Sequence, residues 1–470
     1  VTLLKNSSAP KALLAIIAAS VLAQSAPPAV WADGAVLREE AQVSHSIDSS
    51  QSSVDQIDEQ VLKKEISLLR LNTNFRTHYM KPERNRKRRL KVFDLIGGGI
   101  ANAGDITLID QFRRYQNKPL EGLAHKGRLQ SGAITVLVAY LTMGSLYAGE
   151  GVFDLYTDYK GKKEGFGAKS ILKQATALKA DIDALLESRK RAVESMSLSG
   201  SQRDIFSAED KILQESRDLA LLEFCRLYID SRKRHTARDM TTIGTLLVCA
   251  TGAFPGAYGV INGLKNVNLK QVGGGGIGFL ISGSTLTVAP VLIHGSAAVT
   301  GKLSADKLLK TIGDQQCKTT SALTADASHL NQLLTAAESG TGSGLTERAR
   351  QYNVLADLLK DREAYLNAEA KRQKREVLES FVSYMAVGGP QIAWGATLTR
   401  AGYRLNNSPV RAFHGVASGA IVNETSWAMW LLNTLQKGTR DELSAKRRQA
   451  EAEPFNTTNA KLVQLESVSK

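Results

Sequence analysis

"LQSGAITVLVAY", residues 129–140, opens an uncharged run that reaches Gly149, and its Ser-Gly step returns in "LISGSTLTVAP" from residue 280 and in "VASGAIVNETS" from residue 416. A shift of 151 residues lays Ser131 and Gly132 on Ser282 and Gly283. Without a gap, the same shift lays Val61, Leu62, Leu68 and Leu71 on Ile212, Leu213, Leu219 and Leu222. A shift of 287 lays the step on Ser418 and Gly419, and Leu68 and Leu71 on Leu355 and Leu358. Agreement across an apolar stripe and a Gly step more than fifty residues away is the mark of internal repetition.

Each of the three units reads in one order: a long amphipathic stretch, a basic cluster, an apolar Gly-rich arm, a short polar loop, a second apolar arm and a long amphipathic trailing stretch. Val54, Ile57, Val61, Leu68 and Leu71 recur at helical spacing, as do Ile171, Ala175, Leu178, Ile182 and Leu185. Pro and aromatic residues are few, at 10 prolines and 6% aromatics, which disfavours a β sandwich or barrel. The expected fold is all-α, with three tandem repeats over 52–196, 197–339 and 340–453. Each repeat holds a transmembrane helical hairpin between two long helices. The long helices pair as antiparallel hairpins outside the membrane, and the first and last of them pair with each other to close a three-part ring.

The apolar arms span 92–112 and 129–149, then 240–264 and 271–301, then 381–399 and 412–436. Most are long enough to cross a bilayer. Asp94, Asp105 and Asp110 intrude on the first arm and Glu424 on the last. An acid inside a membrane segment is a functional candidate, so Asp105 and Glu424 are expected to line an intramembrane polar path. Pro255 and Pro390 predict kinks.

Residues 1–32 read as an export signal: Lys5 and Lys11 precede an apolar run, and Ala32 closes a small-residue cleavage pattern. A polar linker, 33–51, and a C-terminal tail, 454–470, complete the plan. Export places the protein in a bacterial envelope, in the inner membrane, with its long helices extracytoplasmic. The net charge of +14 then points to anionic lipid rather than nucleic acid. Its candidate headgroup contacts are Arg86, Lys87, Arg88, Arg89, Arg232, Lys233, Arg234, Arg372, Lys374 and Arg375, which precede an arm in every unit. The loops between the arms are also basic, so the positive-inside rule does not orient the chain. Protein partners are expected on the extracytoplasmic helices.

No catalytic, cofactor or metal site is expected. "VGGGGIG" from 272 fits G-x-G-x-x-G, but no strand precedes it, and it reads as a flexible turn between arms. His125, His294 and His414 have no histidine at matched positions of the other units, and Cys225, Cys249 and Cys317 lie far apart. The sequence therefore describes a non-catalytic envelope scaffold. The rival readings are a channel or transporter and a secreted pore-former or soluble helical assembly.

Overall fold

A computed structural model describes residues 50–196, 200–313, 320–336 and 343–451. The export signal, most of the linker and the tail lie outside the described residues. Within them the regular structure is entirely helical. In chain order the helices are α1 (Ser50–Tyr115), α2 (Pro119–Ala124), α3 (Lys126–Lys163), α4 (Ala168–Glu194) and α5 (Gly200–Thr251). A π-helical turn (Gly252–Tyr258) leads into α6 (Gly259–Lys265), followed by α7 (Leu269–Ile312), α8 (Thr320–Ala336), α9 (Ser343–Tyr403) and α10 (Pro409–Glu451).

Four helical stretches are long and apolar enough to cross a membrane: Asn85–Tyr115, Lys126–Glu194, Gly200–Lys265 and Leu269–Ile312. The chain is an all-helical, membrane-associated protein. Six such stretches were expected; the two arms inside α9 and α10 fall short. Ser383, Gln391 and Thr397 dilute one, and Asn423, Glu424 and Ser426 the other.

Two large apolar cores, with a small cluster of Tyr147, Ala148 and Leu246 besides, lie along these helices. The first joins Val61, Leu68 and Leu69 of α1 to Ile212, Leu221 and Phe224 of α5, Leu355 and Leu358 of α9, and the trailing helices α4 and α8. Here α1 and α5 run parallel and in register. Ser216 Oγ donates to Glu65 Oε2 at 2.7 Å, and Asn72 Nδ2 donates to Glu223 Oε2 at 3.3 Å; each pair is 151 residues apart. Helix α9 joins in the same direction through Arg348 to Glu209 at 2.9 Å and Arg362 to Glu223 at 2.9 Å. Helix α4 packs against α1 and α5, and α8 against α5 and α9.

A polar side chain recurs every seven residues inside this bundle: Asp58, Glu65 and Asn72 on α1, and Glu209, Ser216 and Glu223 on α5, all buried. Polar groups at core heptad positions fix register, because a slipped helix would leave them without partners. At the first layer Arg189 of α4, fully buried, donates to Asp58, to Glu209 at 2.7 Å and to Asp210 at 2.5 Å.

The second core gathers the arms. Helices pack in the cyclic order α1, α3, α5, α7, α9, α10 and back to α1, so the six arms form a closed ring. Gly98 of α1 lies under Leu431 and Trp430 of α10 at the closing seam. The expected pairing of residues 52–90 with 437–453 falls largely on side chains outside the described residues.

Glycines let these backbones approach. A Cβ on Gly104 would lie 2.9 Å from the Gly132 carbonyl oxygen, and one on Gly276 would lie 2.7 Å from that of Gly395. The glycine run from 273 is therefore not a flexible turn. It lies in the second and third turns of α7, pressed between the π-helical turn with α6 on one side and α9 on the other, and the chain reverses earlier, at 266–268. There Val267 takes a φ of 52°, and the Asn268 side chain caps α7 by accepting from the Lys270 amide at 3.1 Å. Pro255 sits inside the π-helical turn, which absorbs its missing hydrogen bond, whereas Pro390 is carried within α9.

The three Ser-Gly steps share their glycines but not their serines. Gly132 and Gly419 pack on the preceding arm, at Gly104 and Trp394 respectively, whereas Gly283 packs on the following one, at Gly388 and Ile392. Ser131 and Ser418 are exposed; Ser282 is buried.

Candidate functional site

The ring encloses polar groups at its centre. Gln391 of α9 donates through Nε2 to the Tyr140 hydroxyl at 2.6 Å and to Ser282 Oγ at 2.9 Å, and Ser282 donates to the Val248 carbonyl at 3.1 Å. All three side chains are buried. This single amide ties together α3, α7 and α9. Tyr140 also meets Trp427 edge-on at 5.6 Å, so the tryptophan belongs to the packed core. Tyr140, Cys249, Leu286, Gln391, Trp427 and Trp430 help to line a cavity of about 10 Å³, the space of one water. It is not an open passage.

The three acids of the first arm separate by depth. Asp94 accepts from the Tyr147 hydroxyl at 2.8 Å, and Asp110 pairs with Arg114 at 2.9 Å near the loop. Asp105 lies between them, fully buried, and accepts from Asn423 Nδ2 of α10. Glu424 is the next residue along α10 and is half-buried. The structure thus brings Asp105 and Glu424 to one seam of the ring. Asn423 went unnoticed in the sequence, although its place beside Glu424 in an otherwise apolar run was the available signal.

The ten candidate headgroup residues each precede an arm of their unit. They lie in the middle of α1, α5 and α9, where no terminal carbonyls need cations. Half of the ten residues are bonded to acids. Arg86 donates to Asp154 at 2.9 Å and to Thr242 at 3.0 Å, while Arg89 holds Glu150 with two bonds, at 2.6 and 2.7 Å. Arg234 spans Asp230 and Glu369, Arg372 joins it on Glu369, and Lys87 reaches Glu376 at 3.2 Å. Several of these acids went unremarked in the sequence because they lie on other helices: Asp154 and Glu150 on α3 face α1, Glu376 on α9 faces Lys87 of α1, and Glu369 on α9 faces Arg234 of α5.

Arg88, Lys233, Lys374 and Arg375 are exposed, with Arg232 half-buried beside them. Next to the same belt, His235 approaches Asp158 at 2.7 Å and Asp239 at 2.9 Å, and Arg238 donates to Asp158 at 2.5 Å. Burial opposes the charge on His235, but its hydrogen bonds to Asp158 and Asp239 prevail and hold it up at about 9. Burial likewise favours neutral Asp158. The hydrogen bonds and charges of His235 and Arg238 prevail and bring it down to about 2. His235 is thus an ion-pair partner rather than a free surface cation.

Among the described residues, no group of three His, Cys, Asp or Glu side chains is placed to hold a metal ion. His125 stacks on Tyr115 at 5.5 Å, and His294 bonds Ser380 at 2.7 Å. Cys225 and Cys249 are free thiols; Cys317 lies outside the described residues. No known protein family and no curated protein matches the chain.

Proposed function

We propose that the chain is an exported, non-catalytic membrane protein of a bacterial envelope, built from three tandem units. Their apolar helical hairpins sit in the inner membrane, and their long helices stand on its extracytoplasmic side as a scaffold or interaction platform. The observation that carries this reading is the contrast between the two cores. In the ring the central polar groups bond one another around a cavity of about 10 Å³, while α1, α5 and α9 run from the ring into a second packed bundle. A continuous lever from ring to bundle suits mechanical support and docking.

The tandem organisation is supported by register. Glu65 with Ser216 and Asn72 with Glu223 meet at the offset of 151 that aligns the Ser-Gly steps and the leucine stripes. A lipid-facing ring is supported by apolar side chains turned outward, among them Ile106, Ile134, Val291, Leu292 and Leu432, each more than two-fifths exposed.

Anionic lipid is the proposed partner at the junction. Arg88, Lys374 and Arg375 are exposed close in sequence to the outward-facing Val92, Leu378 and Val382, so cationic heads stand beside apolar surface. Replacing Arg88, Lys233, Lys374 and Arg375 together by Gln is expected to lower the amount of anionic phospholipid that copurifies, with the melting temperature held. Unchanged lipid recovery would refute the assignment.

A transport reading is favoured by one observation, the buried Asp105 beside Glu424. Flux assays on vesicles holding the purified chain separate the two. The scaffold reading expects no proton, alkali-ion or small-solute flux above protein-free vesicles. Flux that disappears in Asp105→Asn and Glu424→Gln would establish transport instead.

A further inference from the structure

Asp105 of α1 and Asn423 of α10 are both fully buried where these helices close the ring. Asn423 Nδ2 donates to Asp105 Oδ2. One oxygen on each side chain is left over. Asp105 Oδ1 and Asn423 Oδ1 are both buried and both without a hydrogen-bond partner among the described residues.

With the carboxyl ionised, both leftover atoms are acceptors and cannot bond each other. Each then carries the penalty of a buried unsatisfied polar atom, on the order of 1–3 kcal/mol and more for a charged group. A single proton on Asp105 Oδ1 removes both defects. The acid O–H donates to the amide carbonyl while the amide N–H keeps its bond to the other carboxyl oxygen, giving a reciprocal acid–amide pair. The titratable neighbours that bear on Asp105 are Glu424 from α10 and Tyr140 from α3. Neither supplies a positive charge. From α3 the other adjoining residues are Gly132 and Val136, which face Gly104.

We infer that Asp105 and Asn423 form a proton-binding site in the wall of the ring, with Glu424 as the carboxylate through which the proton exchanges with water. On release the Asp105 O–H bond breaks, a Glu424 O–H bond forms, and Glu424 then passes the proton to water; uptake is the reverse. Glu424 Oε2 is itself without a hydrogen-bond partner among the described residues, and the residue is half-buried, next along the chain from the amide that holds Asp105. This site is independent of the scaffold reading, since a proton can be held without being carried across.

Infrared spectroscopy of the full chain in vesicles tests it. The expected result is a protonated carboxyl stretch at neutral pH that shifts when aspartate is labelled with carbon-13 in the side chain and is lost in Asp105→Asn. Transfer to heavy water should move the band, and Glu424→Gln should slow that exchange. Asp105→Asn preserves shape and hydrogen-bonding capacity, and if it nevertheless fails to fold, the isotope label on the wild-type chain carries the test. The absence of any aspartate-sensitive protonated carboxyl wherever helix content is retained would overturn the site. So would a band that never exchanges with heavy water.

Discussion

Arg189 shows how much of this fold rests on single charged residues. It is fully buried, and its guanidinium serves Asp58, Glu209 and Asp210 from α1 and α5. Removing one member of a buried ionic cluster costs about 3–5 kcal/mol, because it strands the others in a medium that solvates them poorly. Arg189→Met is therefore expected to lower stability by that amount in denaturant titrations followed by helix content. A double variant with Asp58→Asn should recover part of the loss. His235 makes a different claim, on pH. Its folded value of about 9 stands above its ordinary 6.5. Its contribution is thus whole below pH 6.5 and lost as pH rises through 9. The melting temperature should fall across that window, less steeply in His235→Ala. Proton NMR of the imidazole reports the titration directly, and a midpoint near 6.5 would contradict the ion-pair geometry. These residues were the least legible in the sequence. Arg189 has its partners Asp58, Glu209 and Asp210 on other helices, and His235 has Asp158 on another helix, so folding brings these pairs together.

At the scale of elements, the helices and arms were largely legible, since 3.6-residue periodicity and long uncharged runs are local signals. The leucine stripes of α1 and the trailing stripe of α4 lie in the first core as their spacing required. One feature was misread. The glycine run of α7 looked like a turn because glycine usually weakens a helix, yet here its purpose is close approach. The basic clusters mark the switch from amphipathic to apolar pattern, and α1, α5 and α9 run straight through it. Heptad-spaced Asp58, Glu65 and Asn72 were visible throughout and overlooked beside the apolar stripe. Gly276→Val puts branched carbons against the Gly395 carbonyl oxygen, 2.7 Å from the Cβ position. Overpacking of this kind costs about 1–3 kcal/mol. Thermal melts in detergent should show that loss, whereas Gly274→Ala, whose Cβ would come no nearer than 3.8 Å to the Tyr403 hydroxyl, should melt like the wild type. Equal melting of both variants would deny the close contact between α7 and α9.

For the whole molecule, the proposed function puts one ring of six apolar arms in lipid and one bundle of long helices on a single side of it. At 1.5 Å per residue α1 alone, 66 residues long, extends roughly 100 Å. That greatly exceeds the bilayer's hydrocarbon core of about 30 Å, so a large part of it must leave the membrane. Single cysteines at Lys118, in the loop after α1, and at Lys190, near the far end of α4, report the arrangement most directly. Labelling with an impermeant reagent in intact and opened cells should find Lys190→Cys reactive from the outside and Lys118→Cys only after opening. Equal reactivity of the two positions in intact cells would contradict the crossing of the membrane by the ring.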